Sequence, residues 1–219
     1  MPQLKICGLK HSAQAAAIAE LGVEAIGVIA VSGSPRYVPP LQRPELFAAA
    51  SGANPNCAGV LVVADPADHE LDALQASRGH RVVQLHGAET PERCEHLRGQ
   101  LSGVALWKAL RIRSPQDLDQ VALYTQVVDA VLLDAWAPGA LGGTGQQLPL
   151  DWLDGFKPQL PWWLAGGICA ATAGAALQRL RPDGLDASSA LETSPGVKDL
   201  ERVRQLLAVV SAARQDQGH

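Results

Sequence analysis

The sequence predicts an α/β fold, a (β/α)8 (TIM) barrel built as one domain over residues 1–219. Eight short apolar or β-branched segments recur at fairly regular spacing, and most are followed by an alanine- and leucine-rich segment with helical spacing. A chain of 219 residues with 47% hydrophobic residues is also long enough to close such a barrel around a large core.

The predicted strands are residues 4–9, 25–31, 57–63, 81–86, 105–110, 130–135, 161–167 and 184–190. Helical spacing is found at 11–22, 69–79, 90–99, 114–124 and 171–182, and residues 200–215 predict an amphipathic last helix. Several of these segments begin with Ser, Thr or Asp and several end at Gly, as helix caps do. A doubly wound open sheet is the alternative fold. It normally has fewer strands and a GxGxxG turn after the first, which is not found here.

Composition excludes several classes of function. The net charge is −4 and no basic run is present, which disfavours nucleic-acid binding. The apolar runs are shorter than a membrane span, and no secretory-signal pattern precedes the first strand. Cysteines at positions 7, 57, 94 and 169 form no CxxC pair, so neither a zinc site nor a thioredoxin-type motif is indicated. We expect reduced thiols in a cytoplasmic protein.

The chemistry of such a barrel lies at the C-terminal ends of its strands and in the loops that follow. Polar residues at these predicted ends are Cys7, Arg36, Gln84, His86, Lys108, Arg111, Asp134, Asp186, Ser188 and Ser189.

Alternation along the first strand places Lys5 and Cys7 on one face and apolar residues on the other. Because the apolar face must meet the helices, Lys5 and Cys7 are predicted to point into the barrel. A buried ammonium needs a carboxylate partner, and Asp186 on the neighbouring eighth strand is the candidate.

Each polar end residue also has a purely structural interpretation. Cys7 is typical of a small buried hydrophobe, and His86 of a side chain that hydrogen-bonds a loop. Arg36 is typical of an exposed residue. Asp134 ends an apolar strand, so it must cap a loop, pair with a cation or take part in chemistry.

Three glycine- or serine-rich segments indicate phosphate binding. They are GGTG (142–145), the Gly166–Gly167 pair before a predicted helix, and DASS (186–189). Free backbone amides near a helix N-terminus suit a phosphate, and the loops after strands seven and eight commonly hold one in this fold. Tight turns are the alternative use of these glycines.

The same segments, taken in order, resemble phosphoribosylanthranilate isomerase from strand one to the last helix. The matching motifs are KICGLK (5–10), SPRYV (34–38), VQLHG (83–87), LLDA (132–135), GGTG (142–145), LAGGI (164–168) and DASSALETSPGVKD (186–199). The resemblance implies a barrel enzyme of tryptophan biosynthesis without cofactor or metal. It would convert N-(5-phosphoribosyl)anthranilate to 1-(2-carboxyphenylamino)-1-deoxyribulose 5-phosphate by an Amadori rearrangement.

The resemblance also assigns roles to individual residues. Cys7 would be the general base that removes the C2 proton of the opened sugar. Asp134 would be the general acid that protonates the ring oxygen. Arg36 would hold the anthranilate carboxylate, for which a planar guanidinium is suited.

The remaining implied contacts are with the phosphate and the rest of the substrate. The substrate-binding set is completed by His86, Gly143, Gly145, Gly166, Gly167, Asp186, Ser188 and Ser189. The expected partner is therefore a small phosphorylated substrate, and the protein is expected to be a monomer or a homodimer.

The chain departs from the usual family pattern in the second strand, which reads GVIAVSG rather than an aromatic-rich segment, and at Ala190 in place of glycine. Two other functions remain alternatives: a different sugar-phosphate isomerase or epimerase on the same barrel, and a non-catalytic protein that binds phosphorylated ligands. Retention of both Cys7 and Asp134 favours the isomerase.

Overall fold

The computed structural model describes residues 1–135 and 147–216 of the chain. Within these residues, eight parallel strands pair in sequence order and close into a barrel, since the first strand is also paired with the eighth. The strands are β1 (Gln3–Cys7), β2 (Ala25–Ile29), β3 (Ala58–Val63), β4 (Val82–Leu85), β5 (Ala105–Ile112), β6 (Ala130–Ala135), β7 (Trp162–Leu164) and β8 (Gly184–Ala187). The predicted fold class is confirmed.

Helices lie between strands and surround the barrel. In the described ranges they are α1 (Ser12–Glu20), α2 (Arg43–Ala53), α3 (Pro91–Gln100), α4 (Val121–Tyr124), α5 (Ala170–Arg179) and α6 (Leu200–Asp216). Short 3₁₀ turns cover Pro40–Gln42, Asp68–Leu74, Ala76–Arg78, Pro115–Gln120, Leu150–Leu153 and Ser189–Leu191. A small antiparallel hairpin, β9 (Glu192–Ser194) and β10 (Val197–Lys198), follows β8.

Two segments expected to be α-helical are not. Residues 69–79 form 3₁₀ turns, and most of 114–124 is the 3₁₀ turn Pro115–Gln120 followed by the four-residue α4. Apolar residues three apart, such as Leu71 and Leu74, suit a 3₁₀ turn as well as an α-helix. In the second segment the Asp117 carboxylate accepts hydrogen bonds from the amides of residues 113 and 114, which stabilises a tight turn. The expectation of two full α-helices was therefore wrong.

The core is divided by the barrel wall. Outward-facing strand residues and the helices form the larger cluster, and two smaller clusters fill the inside of the barrel. One inner cluster includes Cys7 and Val60, and the other includes Leu132 and Trp163. The rings of Trp107 and Trp163 lie 4.7 Å apart between centroids and pack in the second of these inner clusters. Cys7 points into the barrel, as the alternation predicts.

Strand register brings the inward polar residues together. Lys5 of β1 lies opposite Asp186 of β8, and Cys7 lies opposite Gly27 of β2.

None of the helices among residues 1–135 and 147–216 has the length and apolar character needed to cross a membrane.

Candidate active site

Most of the predicted site residues lie at the C-terminal end of the barrel. Cys7 is the last residue of β1, Asp134 the next to last of β6, and Asp186 lies in β8. His86 directly follows β4, and Arg36 lies in the loop between β2 and α2. All five are buried, which places ionisable groups in a region where their interactions are weakly screened.

Lys5 and Asp186 form the predicted buried ion pair. The Lys5 ammonium donates to Asp186 Oδ1 at 2.9 Å, and the lysine side chain is completely buried. Burial alone would lower the pKa of Lys5, but the adjacent Asp186 carboxylate and the Cys7 side chain together outweigh it and hold that pKa above its ordinary value. A permanent positive charge therefore lies two residues below Cys7 in β1.

The thiol of Cys7 lies in a tight, buried space. Burial raises its pKa, the Lys5 ammonium opposes that rise, and the Asp186 carboxylate adds to it. A Cβ atom on Gly27 would lie only 2.6 Å from Cys7 Sγ. The absence of a side chain at position 27 thus leaves the room that the thiol occupies.

Asp134 faces the imidazole of His86. Its Oδ2 lies 3.5 Å from Nε2 of His86, and the other ring nitrogen of His86 lies 3.0 Å from the amide nitrogen of Gln84. Within the described part of the chain, Nε2 of His86 is buried and has no hydrogen-bond partner. The imidazole is therefore held by Gln84 on one side and directed towards the Asp134 carboxylate on the other.

Arg36 belongs to an ion triad that was not predicted from the sequence. Its Nε and Nη2 donate to the two carboxylate oxygens of Glu192 at 2.8 and 2.6 Å. Glu192 Oε1 also accepts from the ammonium of Lys198 at 2.7 Å and from the amide of Gly196 at 3.0 Å. Burial would raise the pKa of Glu192, but the hydrogen bonds from Arg36 and Lys198 outweigh it and lower that pKa to about 2.

The signal for the missed residues lies in the segment ETSPGVK. Glu192 and Lys198 flank a proline–glycine turn, and the structure places them opposite each other on β9 and β10. Opposite charges directly across a hairpin attract each other. The pattern could have predicted this pair, although not that Arg36, far away in sequence, would join it.

Arg36 and the tip of β1 are in close contact. A Cβ on Gly8, which has φ +83°, would lie 2.5 Å from Cδ of Arg36. The Ser188 hydroxyl donates to the carbonyl oxygen of Cys7 at 3.1 Å, and Lys198 donates to the Ser188 carbonyl at 3.2 Å. The triad is therefore connected through Ser188 to the residue proposed from sequence as the base.

The expected phosphate end is described in part. Gly166 and Gly167, both with positive φ, lie between β7 and the N-terminus of α5. The Thr172 hydroxyl donates to the Gly167 carbonyl at 3.0 Å and fixes this loop to the first turn of the helix. Ser189 begins the turn after β8.

Gly143 and Gly145 lie outside the described residues. No group of three or more His, Cys, Asp or Glu side chains in the described part of the chain is placed to hold a metal ion.

A closed barrel with ionisable side chains gathered at the C-terminal ends of its strands defines the class of TIM-barrel enzymes. The family model for N-(5'phosphoribosyl)anthranilate (PRA) isomerase matches residues 4–209. The chain therefore belongs to the phosphoribosylanthranilate isomerase family, as the sequence motifs indicated.

Individual relatives agree with this assignment. The N-(5'-phosphoribosyl)anthranilate isomerase of Synechococcus elongatus is 46% identical over 206 residues, which cover 94% of each chain. The crystal structure of phosphoribosyl anthranilate isomerase from Thermotoga maritima superposes with a TM-score of 0.85 at 25% identity, covering 97% of this chain and 100% of that one. A family structure in complex with reduced 1-(o-carboxyphenylamino)-1-deoxyribulose 5-phosphate gives a TM-score of 0.78 at 25% identity, with the same coverage.

Proposed function

We propose that this chain converts N-(5'-phosphoribosyl)anthranilate to 1-(2-carboxyphenylamino)-1-deoxyribulose 5-phosphate. The observation that carries the proposal is that a thiol and a carboxylate lie at the ends of two strands, and a guanidinium in the loop after a third strand, of a barrel belonging to this family. The reaction needs an acid to open the sugar ring, a base to remove a carbon-bound proton, and a cation to hold the aromatic carboxylate. Asp134 is proposed as the acid, Cys7 as the base and Arg36 as the cation.

Cys7 is proposed as the general base that takes the proton from C2 of the opened sugar. A thiol removes a proton only when it is ionised, and burial works against that ionisation. The positive charges of Lys5 and Lys198 both work in its favour. We infer that the thiolate forms in a site whose cations are already in place, which lowers the reorganisation that the reaction requires.

Asp134 is proposed as the general acid that donates to the ring oxygen and drives opening to the Schiff base. Acid and base must be in opposite protonation states at the same time, so they need different surroundings. Cys7 lies beside an ammonium, whereas the oxygen of Asp134 faces the imidazole of His86. His86 is accordingly proposed to line the site and to keep the carboxyl of Asp134 directed inward.

Arg36 is proposed to bind the anthranilate carboxylate. The phosphate is proposed to bind at the two glycines before α5 and the two serines after β8. Gly143, Gly145 and Asp186 complete the proposed substrate-binding set, with the Asp186 oxygen that faces Lys5 already engaged. The small-molecule partner is then the phosphorylated substrate.

We propose a cytoplasmic location, since the pathway is biosynthetic and the four cysteines are unpaired.

Complementation tests this function directly. A tryptophan auxotroph that lacks the isomerase should grow without tryptophan when it expresses this chain, but not when it expresses Asp134→Asn. Glu20→Gln, an exposed change at the end of α1, is the matched control and should rescue growth like the wild type. Soluble wild-type protein that fails to rescue growth would overturn the proposal.

A further inference from the structure

Glu192 has no role in the proposed chemistry, yet it lies at the centre of the ion triad formed by Arg36, Glu192 and Lys198. The side chains of the three are 10%, 5% and 0% exposed. A buried carboxylate with four hydrogen bonds is costly to move, because each bond would have to be replaced inside the protein. Glu192 is therefore a fixed point near the barrel mouth.

The bidentate contact occupies only one edge of the guanidinium. An arginine carries five N–H donors, and Glu192 accepts from Nε and from one hydrogen of Nη2. Within residues 1–135 and 147–216, Nη1 of Arg36 has no hydrogen-bond partner. The second edge, formed by Nη1 and the other hydrogen of Nη2, is available to a second carboxylate.

The charge balance also favours a second anion. Arg36 and Lys198 bring two positive charges, whereas Glu192 brings one negative charge, so the triad keeps a net charge of plus one. If Arg36 and Glu192 formed an isolated pair, an incoming carboxylate would meet a neutral group. Because the Lys198 ammonium lies 2.7 Å from Glu192 Oε1, the incoming carboxylate meets a group with a net positive charge instead.

The stem of Arg36 is fixed independently of its head. It crosses Gly8 so closely that a methyl group there would lie 2.5 Å from Arg36 Cδ. Gly8 immediately follows Cys7, the proposed base. A guanidinium fixed at its stem by β1 and at one edge by Glu192 has little rotational freedom left, which is the condition for pre-organised binding.

We propose that Glu192 is a positioning residue for substrate recognition: it holds Arg36 so that the free guanidinium edge meets the anthranilate carboxylate, while Lys198 preserves the positive charge. This inference rests on the proposed function, which assigns that carboxylate to Arg36. It adds the residue that sets the direction of the arginine and therefore its preference for a carboxylated aromatic ring.

The test compares two probes by isothermal titration calorimetry. One is reduced 1-(o-carboxyphenylamino)-1-deoxyribulose 5-phosphate, and the other is the same compound without the ring carboxylate. The ratio of their dissociation constants is the carboxylate preference. In Glu192→Gln we expect this preference to fall about tenfold, as when one charge-assisted hydrogen bond is lost, while the probe without the carboxylate binds within about twofold of wild type.

Further variants separate positioning from general damage. In an Arg36→Met background the preference should already be lost, and adding Glu192→Gln should change nothing more. Glu192→Asp keeps the charge but shortens the reach, so it should give an intermediate preference. Glu24→Gln is the matched control, since Glu24 also pairs with an arginine (Arg214, 2.7 Å) and accepts from a backbone amide, next to the opposite end of β1. It should keep the full preference.

Steady-state kinetics give a second measure. Glu192→Gln should raise KM with little change in kcat, because the lost contact is made in the ground state and in the transition state alike.

The outcomes distinguish this inference from the proposed function. A wild type without any carboxylate preference would overturn both. A wild type with the preference, together with a Glu192→Gln variant that retains it, would overturn only the role of Glu192. An equal loss of affinity for both probes, or an undiminished effect of Glu192→Gln in the Arg36→Met background, would do the same.

Discussion

Gly27→Ala should move the proposed base without changing its chemistry. The new Cβ would lie 2.6 Å from Cys7 Sγ and 3.0 Å from Cys7 Cα. Carbon atoms in good contact are roughly 3.5–4.0 Å apart, so the thiol must shift by about 1 Å, and the nearby backbone of β1 prevents simple rotation away. The φ angle of Gly27 lies outside the left-handed region, so alanine adds no backbone strain.

The expected cost has two parts. Overpacking a core typically lowers the free energy of unfolding by about 1–3 kcal/mol. A displacement of about 1 Å at the reacting groups costs roughly a hundredfold in rate. We therefore expect kcat, followed by the decay of substrate fluorescence, to fall about a hundredfold, and urea unfolding to show the moderate loss of stability.

Gly59→Ala is the matched control. Its Cβ would lie 2.5 Å from Cδ1 of Phe47, on the outer face of the barrel wall and away from Cys7. It should lower stability by a similar amount and leave kcat within about twofold of wild type. If Gly27→Ala and Gly59→Ala destabilise equally and both retain kcat, the position of the Cys7 thiol does not matter for the reaction and the prediction is wrong.

Three other predictions concern two buried charged groups and the reactivity of the thiols. Lys5→Met leaves the Asp186 carboxylate buried and unpaired, so urea denaturation should show that the free energy of unfolding falls by about 3–5 kcal/mol. An unchanged denaturation midpoint would contradict a stabilising role of the pair. The pKa of Glu192 is lowered from 4.5 to about 2, so its ionised carboxylate stabilises the fold above pH 4.5, and this contribution is lost as the pH falls towards 2. In acid titrations, the free energy of unfolding of the wild type should therefore fall by about 3 kcal/mol more than that of Glu192→Gln. Hydrogen bonds at the start of α5 outweigh partial burial and lower the pKa of Cys169, whereas burial raises the pKa of Cys57 to about 11. Iodoacetamide at pH 7.5 should therefore label Cys169 before Cys57, as followed by peptide mass spectrometry.

The barrel could be predicted from the sequence because its strands appear there as a strong hydrophobic pattern. Parallel strands covered on both faces appear as short apolar runs, and all eight predicted runs overlap an observed strand. The helical layer was less certain, since apolar residues three apart do not distinguish an α-helix from a 3₁₀ turn. This ambiguity explains why the connections after β3 and β5 were predicted incorrectly.

The contacts of the site could be predicted from the sequence only where the signal is local in the chain. The Lys5–Asp186 pair followed from alternation in β1 and from closure of the barrel, and the structure confirms it. The contact between Arg36 and Glu192 joins residues 156 positions apart in the chain. Nothing in either local segment specifies it, and only folding of the β2 loop onto the hairpin after β8 brings the two side chains together.

The proposed function depends most on the roles of Cys7 as the base and Asp134 as the acid. Purified wild-type protein should consume N-(5'-phosphoribosyl)anthranilate, measured as the decay of its fluorescence in a single assay with both variants. We expect the decay to vanish in Asp134→Asn and to slow strongly in Cys7→Ser, while both proteins stay folded by circular dichroism. Folded variants that consume the substrate at the wild-type rate would contradict the proposed roles of Cys7 and Asp134.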